Sequence, residues 1–203
     1  MATVADRIRV SLADHGRRMT LEEFEEADFE EGYRYELAKG VLEVTLVPGE
    51  PHGLIVHMLY KLFTRYEDAH PGMIHRFGGA SEFRLCLPAM VSGRNPDLAV
   101  ALRNMPPDDS GMRPPSLAIE VVTDGDEART RDYVTKREEY LAYGLREYWI
   151  VDRFEKKVTV LHRRGDTWAE HVFVEGQTAT GLVLPGFAVA VDDLWIMPAD
   201  DES

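Results

Sequence analysis

Two apolar runs on either side of one helical pattern constrain the fold of this chain most strongly. Residues 117–123 and 147–152 read as near-continuous apolar strands, and residues 127–142 between them have helical spacing that ends at Gly144. A strand, a crossover helix and a second strand form a βαβ unit, whose two strands lie parallel in one sheet. Other strand patterns and a long helical pattern at 52–69 surround this unit. The sequence therefore predicts a mixed α/β (α+β) fold with a central mixed β-sheet flanked by helices.

The length of the chain indicates one principal domain. Its 203 residues, of which 44% are hydrophobic, can bury one good core. No internal repeat or low-complexity linker interrupts it. We predict an N-terminal arm or short helix at 1–18, a single domain at 19–197 and an acidic tail at 198–203.

Two carboxylates stand in or beside the apolar strand patterns. Asp97 follows Pro96 at the head of the strand 97–102, and Glu120 interrupts the apolar run 117–123. Burial of an unpartnered carboxylate costs several kcal/mol, so each position favours a metal ion or a positive side chain close by. Asn-Pro-Asp is also ordinary turn chemistry, which leaves a purely structural interpretation of Asp97 open. Glu120 is harder to explain in that way.

Lys136 is the obvious positive partner in the helical segment. It shares a predicted helix face with Tyr133 and Tyr140, although a lysine on such a face can also extend its ammonium to water. Two strand-borne acids and a half-buried lysine are typical of metal-assisted phosphodiester hydrolysis. His52 and His57 begin the long helix with no third clustered ligand, and we interpret them as ordinary helix residues.

The charge of the chain bears on possible partners. A net charge of −13 opposes binding of a polyanion, so any contact with nucleic acid requires a local basic patch. The single cysteine excludes a cysteine-rich zinc site. No apolar run is long enough to cross a bilayer, and the first residues lack the apolar core of a signal peptide. We therefore expect a cytoplasmic protein with no membrane partner.

Several motifs of the chain together resemble the Uma2 family. These bacterial proteins, formerly a domain of unknown function, are assigned to the PD-(D/E)XK nuclease superfamily and labelled putative restriction endonucleases. The resemblance extends over roughly residues 19–195. It rests on the segment 33–37 with Gly40, on Pro96-Asp97, on 118–122, on Lys136 with Glu139-Tyr140, on 144–152 and on 184–187.

The resemblance implies a restriction-endonuclease-like core and a set of site residues. Asp97 and Glu120 would be the two metal-binding acids, and the backbone carbonyl of Val121 would complete the protein side of an Mg²⁺ site, which Mn²⁺ could also fill. Glu36 would match an acid that many members contribute from their N-terminal region. The usual lysine two residues after the glutamate is absent, because Val122 stands there. Lys136 would replace it from the following helix.

The expected activity is therefore that of an Mg²⁺-dependent endodeoxyribonuclease. In this interpretation Asp97 and Glu120 hold the metal, Lys136 supports the attacking water or the developing charge, and Glu36 assists. DNA is the expected partner, with a homodimer as one option because a duplex has two strands to cut. Two alternatives stay open: a catalytically inactive nuclease fold that binds nucleic acid or protein, and a phosphodiesterase that acts on RNA or a small molecule.

Overall fold

A computed structural model describes residues 7–80 and 82–196 of the chain. The chain divides into two compact units, Met1–Pro48 with Arg84–Asn95 and Gly49–Phe83 with Pro96–Ser203. The prediction of one domain over 19–197 stays a prediction. The predicted acidic tail and the first six residues of the predicted arm lie outside the described residues.

The first unit is built on a four-stranded antiparallel sheet. Two of its strands, β3 (Tyr33–Ala38) and β4 (Val41–Leu46), form a hairpin with a glycine in its turn. Gly40 in that turn has a φ of 77°, which a side chain would disfavour. The sheet order is completed by two further strands, β7 (Ser92–Arg94) beside β3 and β6 (Leu85–Leu87) beside β7.

Residues at the N-terminal side of the first unit also pack into it. The two-residue strands β1 (Arg9–Val10) and β2 (Asp28–Phe29) pair in parallel, and Leu12–Asp14 forms a 3-10 turn. The helix α1 (Leu21–Glu26) begins with a capping box, in which the side chains of Thr20 and Glu23 accept hydrogen bonds from each other's backbone amides. Within the segment predicted as an arm or short helix, Arg9–Val10 and Leu12–Asp14 thus form elements of this unit.

The second unit contains a six-stranded mixed sheet in the order β12-β11-β10-β9-β8-β5. These strands are β5 (Ile74–Gly78), β8 (Leu98–Leu102), β9 (Leu117–Val121), β10 (Glu147–Asp152), β11 (Lys157–Arg164) and β12 (Thr167–Val174). The neighbours β9 and β10 run parallel, as the βαβ pattern predicts, and the other pairs are antiparallel. The predicted mixed fold with a central mixed sheet is confirmed.

The two faces of this sheet carry different side chains. The alternate residues Leu117, Ile119 and Val121 of β9 belong to an apolar core with the 20-residue helix α2 (Glu50–Ala69) and the short hairpin of β13 (Thr178–Thr180) and β14 (Ala188–Ala190). Ala118 and Glu120 point to the opposite face, because side chains alternate along a strand.

The crossover between β9 and β10 is helical but not uniformly α-helical. It consists of α3 (Asp126–Thr130), a π-helical turn at Arg131–Thr135 and α4 (Lys136–Tyr143). Gly144 ends α4 in the left-handed conformation, as predicted. Within the part of the chain described, no helix combines the length and the apolar character that crossing a membrane requires.

Candidate active site

The register between β8 and β9 brings the two predicted acids together. Leu98 pairs with Ile119 in this antiparallel ladder, so the preceding Asp97 stands opposite Glu120. Directly opposite residues of such a pair lie on the same face, with Cβ atoms about 5 Å apart. Both residues are buried, with Asp97 7% and Glu120 2% exposed. The sheet therefore holds two carboxylates side by side away from bulk water.

Two groups contact one carboxylate oxygen of Asp97. Its Oδ2 accepts a hydrogen bond from the backbone amide of Val121 at 2.8 Å and lies 3.1 Å from Nε2 of His52. His52 belongs to the first turn of α2 and is itself buried. The interpretation of His52 as an ordinary helix residue did not include this contact, because His52 and Asp97 are 45 residues apart in the sequence and helix periodicity does not report such a pair.

Glu120 has its partners on α4. The ammonium of Lys136 lies 3.0 Å from Oε1 of Glu120, and the hydroxyl of Tyr140 donates a hydrogen bond to the same oxygen at 2.5 Å. Lys136 is only 3% exposed. The sequence left open whether this lysine reaches water, and the structure shows that its ammonium instead pairs with Glu120.

A third acid joins this cluster. The carboxylate of Asp132 lies 3.8 Å from the ammonium of Lys136 and 3.4 Å from Nε of Arg131. Asp97, Glu120 and Asp132 thus provide three carboxylates, while Lys136 and Arg131 provide two cations. The side chains of the three acids are 2–4% exposed, so water screens their charges poorly.

The π-helical turn separates Tyr133 from this cluster. The hydroxyl of Tyr133 donates to Asp152 at the end of β10, at 3.1 Å. Burial raises the pKa of Tyr133, and the neighbouring charge of Asp152 raises this pKa further, so the hydroxyl stays a neutral donor. Of the two tyrosines predicted to share the helix face of Lys136, Tyr140 contacts Glu120 and Tyr133 contacts Asp152. A π-helical turn changes the winding of the helix at this point, and single turns of this kind are frequent at functional sites.

The donor atoms present suit a hard divalent cation. Carboxylate oxygens of Asp97 and Glu120 are Mg²⁺ ligands by type. The amide of Val121 points toward Asp97, and in an extended strand the carbonyl of the same residue points to the same side. Within 7–80 and 82–196, no three His, Cys, Asp or Glu side chains form a group that could hold a metal. A site here would therefore combine two carboxylates with backbone and substrate oxygens, which is how Mg²⁺ is commonly bound.

Glu36 lies in the first unit, on β3. Its Oε1 accepts from the backbone amide of Asn95 at 2.9 Å, and its Oε2 lies 3.3 Å from Nη1 of Arg94. Arg94 is fully buried and also pairs with Glu43, the residue opposite Glu36 on β4. These contacts give Glu36 a clear structural role, and its catalytic role stays a prediction.

Three residues of the cluster were not identified as site residues from the sequence: His52, Asp132 and Tyr140. The clearest missed indication is His52, which continues the buried stripe of α2 formed by Ile55, Leu59 and Phe63. A polar residue at the end of an apolar stripe requires a buried hydrogen-bond partner.

Comparisons with known proteins identify the family and the fold of the chain. The family model of Uma2, described as "Putative restriction endonuclease", matches residues 21–192. The fold is similar to that of a putative nuclease belonging to DUF820 from Anabaena variabilis, with a TM-score of 0.68 and 19% sequence identity over 87% of this chain and 97% of the other. None of the curated proteins compared matches the chain. Because the family model covers most of its length, the chain belongs to the Uma2 family.

Proposed function

We propose that this chain is a bacterial, cytoplasmic endonuclease that hydrolyses phosphodiester bonds of DNA and depends on Mg²⁺, for which Mn²⁺ could substitute. The observation that carries the proposal is the buried pair of Asp97 and Glu120, opposite each other on neighbouring strands, with the Lys136 ammonium 3.0 Å from Glu120. Membership of a family described as restriction endonucleases supports the same reaction class.

Asp97, Glu120 and the backbone carbonyl of Val121 would hold the metal. When bound, a divalent cation at such a site supplies Lewis-acid polarisation of a phosphate oxygen. The amide of Val121 and the imidazole of His52 keep Asp97 in place, and Tyr140 does the same for Glu120. These contacts fix the two carboxylates before any ligand arrives, which is the preorganisation that electrostatic catalysis requires.

Lys136 would provide positive charge close to the scissile phosphate. An ammonium paired with a carboxylate is a proton donor and a charge, and it is not a base. The contact with Glu120 therefore supports a role in stabilising the negative charge that develops on the phosphoryl oxygens during hydrolysis. The catalytic role of Glu36 stays a prediction, and in the first unit its carboxylate pairs with Arg94.

A nuclease fold that binds a partner without turnover is the second candidate. Its support is the net charge of −13 together with the fact that Glu120, Lys136 and Asp132 satisfy one another as an ion-pair cluster. A buried ion pair of this kind is a sufficient structural reason for the glutamate and the lysine.

Cleavage of supercoiled plasmid and single-stranded DNA in Mg²⁺ or Mn²⁺ tests the proposal. The variant Asp97→Ala, purified in parallel, reveals contaminating nuclease. The control Glu170→Ala also removes one carboxylate, from an exposed position on the edge strand β12. We expect cleavage by the wild type and by Glu170→Ala, and none by Asp97→Ala. Cleavage that survives in Asp97→Ala would contradict the proposal.

Direct titration with Mn²⁺ separates the two candidates without relying on turnover. We expect saturable binding that is lost in Asp97→Ala and retained in Glu170→Ala. Equal binding by all three proteins, or none by any, would favour the binding module. Cleavage of RNA or of a small phosphodiester in place of DNA would mean that the proposed substrate is wrong and the proposed active site is right. Sedimentation of the wild type would test the proposed homodimer.

A further inference from the structure

The first turn of α2 brings a histidine onto one of the two proposed metal ligands. His52 is the third residue of α2, whose N-cap is Gly49, and its side chain is only 10% exposed. Its Nε2 lies 3.1 Å from Oδ2 of Asp97, whose side chain is 4% exposed. The contact is therefore made out of reach of bulk water, where a polar group is retained only with a partner.

The position of His52 on the helix indicates that this contact is its main role. The buried residues of α2 are His52, Ile55, Leu59, Phe63 and Tyr66, which form one stripe. An apolar side chain at position 52 would continue this stripe and would itself bury no polar atom. His57, by contrast, is an exposed residue of the same helix.

The chemistry of the contact assigns the proton. A carboxylate only accepts hydrogen bonds, so Nε2 of His52 carries the hydrogen and donates it to Oδ2 of Asp97. The amide of Val121 donates to the same oxygen at 2.8 Å. Two donors from different elements, a helix and a strand, thus converge on one oxygen and restrict rotation of the carboxylate group.

We infer that His52 is a positioning residue, which donates its Nε2–H to Asp97 and so fixes the carboxylate in the orientation that binds the divalent cation. This inference rests on the proposed function. His52 acts through Asp97 and is not itself a ligand, because its Nε2 is engaged by the carboxylate. Partners of this kind behind a ligating group commonly change metal affinity 10–100-fold when they are removed.

A set of variants at one position can isolate the hydrogen bond. His52→Gln places an amide N–H at the same number of bonds from Cα as the imidazole Nε2–H, whereas His52→Leu has similar bulk and no donor. His57→Leu is the matched control on the same helix. We expect His52→Leu to weaken Mn²⁺ binding about 10–100-fold, His52→Gln to restore most of the affinity, and His57→Leu to bind as the wild type does.

Two further measurements make the result decisive. Thermal unfolding of the metal-free variants shows that each remains folded, and the ¹⁵N chemical shifts of the imidazole in the metal-free wild type report whether Nε2 carries the hydrogen. A folded His52→Leu with wild-type affinity, a His52→Gln no better than His52→Leu, or an unprotonated Nε2 would overturn this inference alone. Absence of Mn²⁺ binding in the wild type would overturn the proposed function and this inference with it.

Discussion

Each of the two units buries a cluster of acids and bases on antiparallel strands, and the two clusters differ in one respect. In the first unit Glu36 faces Glu43 across the hairpin of β3 and β4, and both pair with Arg94. In the second unit Asp97 faces Glu120 across β8 and β9. Both arrangements place two carboxylates on one face of a sheet, where each would repel the other without a positive partner.

The difference lies in how far water reaches the acids. The side chains of Glu36 and Glu43 are 12% and 29% exposed, so water reaches both carboxylates. The side chains of Asp97, Glu120 and Asp132 are at most 4% exposed. The same strand geometry therefore holds a partly exposed pair of acids in one unit and, in the other, a more deeply buried pair at the position proposed for the metal.

The largest expected effect is on activity, in Glu120→Gln. We expect the rate of cleavage to fall about a thousandfold, because the metal contributes several kcal/mol and about 1.4 kcal/mol corresponds to a factor of ten. The free energy of unfolding should change by less than about 1 kcal/mol, since glutamine keeps an oxygen that accepts from Tyr140 and Asp132 remains close to Lys136. Cleavage kinetics and urea denaturation measure both. An unimpaired rate would show that the cluster of Asp97 and Glu120 is not needed for cleavage.

In the first unit the largest expected effect is on stability, in Arg94→Met. This substitution leaves Glu36 and Glu43 facing each other without their shared cation, and we expect a loss of about 3–5 kcal/mol in the free energy of unfolding. Urea denaturation is the measurement. Arg17→Met, which removes an exposed ion pair with Asp14, is the control and should cost less than about 1 kcal/mol. Equal losses in the two variants would show that the Arg94 cluster is not a stabilising element.

Lys136→Met should affect both properties, because the lysine is 3% exposed and pairs with two acids. We expect turnover to be lost and the unfolding free energy to fall by about 3 kcal/mol, since two carboxylates lose a buried partner. Because this ion pair is buried, removal of the lysine should affect stability as well as turnover.

The double variant Lys136→Met with Glu120→Gln separates the two roles of the lysine. It should regain about 1–2 kcal/mol relative to Lys136→Met, as a double-mutant cycle detects for residues in contact. Additive effects on stability would mean that the contact between Lys136 and Glu120 is energetically neutral.

The smallest effect is expected in Tyr140→Phe, which removes one hydrogen bond to Glu120 and keeps the ring that packs on Tyr148. A donor to a charged group contributes about 1.5–3 kcal/mol, and we expect a loss of stability in the lower part of that range with a weaker Mn²⁺ affinity. Tyr148→Phe removes a hydroxyl that donates to the backbone carbonyl of Asp132, and it should leave the affinity unchanged. Equal affinities in the two variants would show that Tyr140 does not hold Glu120 in place.

The sequence by itself determined the elements that depend on neighbouring residues. The parallel pair β9 and β10, the crossover helix, the hairpin of β3 and β4 and the long helix α2 all follow from local periodicity and turn residues. Asp97, Glu120 and Lys136 were visible for the same reason, because a charge inside an apolar pattern stands out along the chain. Short strands such as β7 and β13 have too few residues to show a period, and they were missed.

Only the tertiary structure decided how these residues meet. The register of β8 against β9 places Asp97 opposite Glu120, and a shift of one residue would have turned one of them to the other face. His52 and Asp97 are 45 residues apart, and Glu120 and Tyr140 are 20 apart, so no local pattern reports either contact. The division into two units likewise depends on contacts between segments that are distant in the sequence.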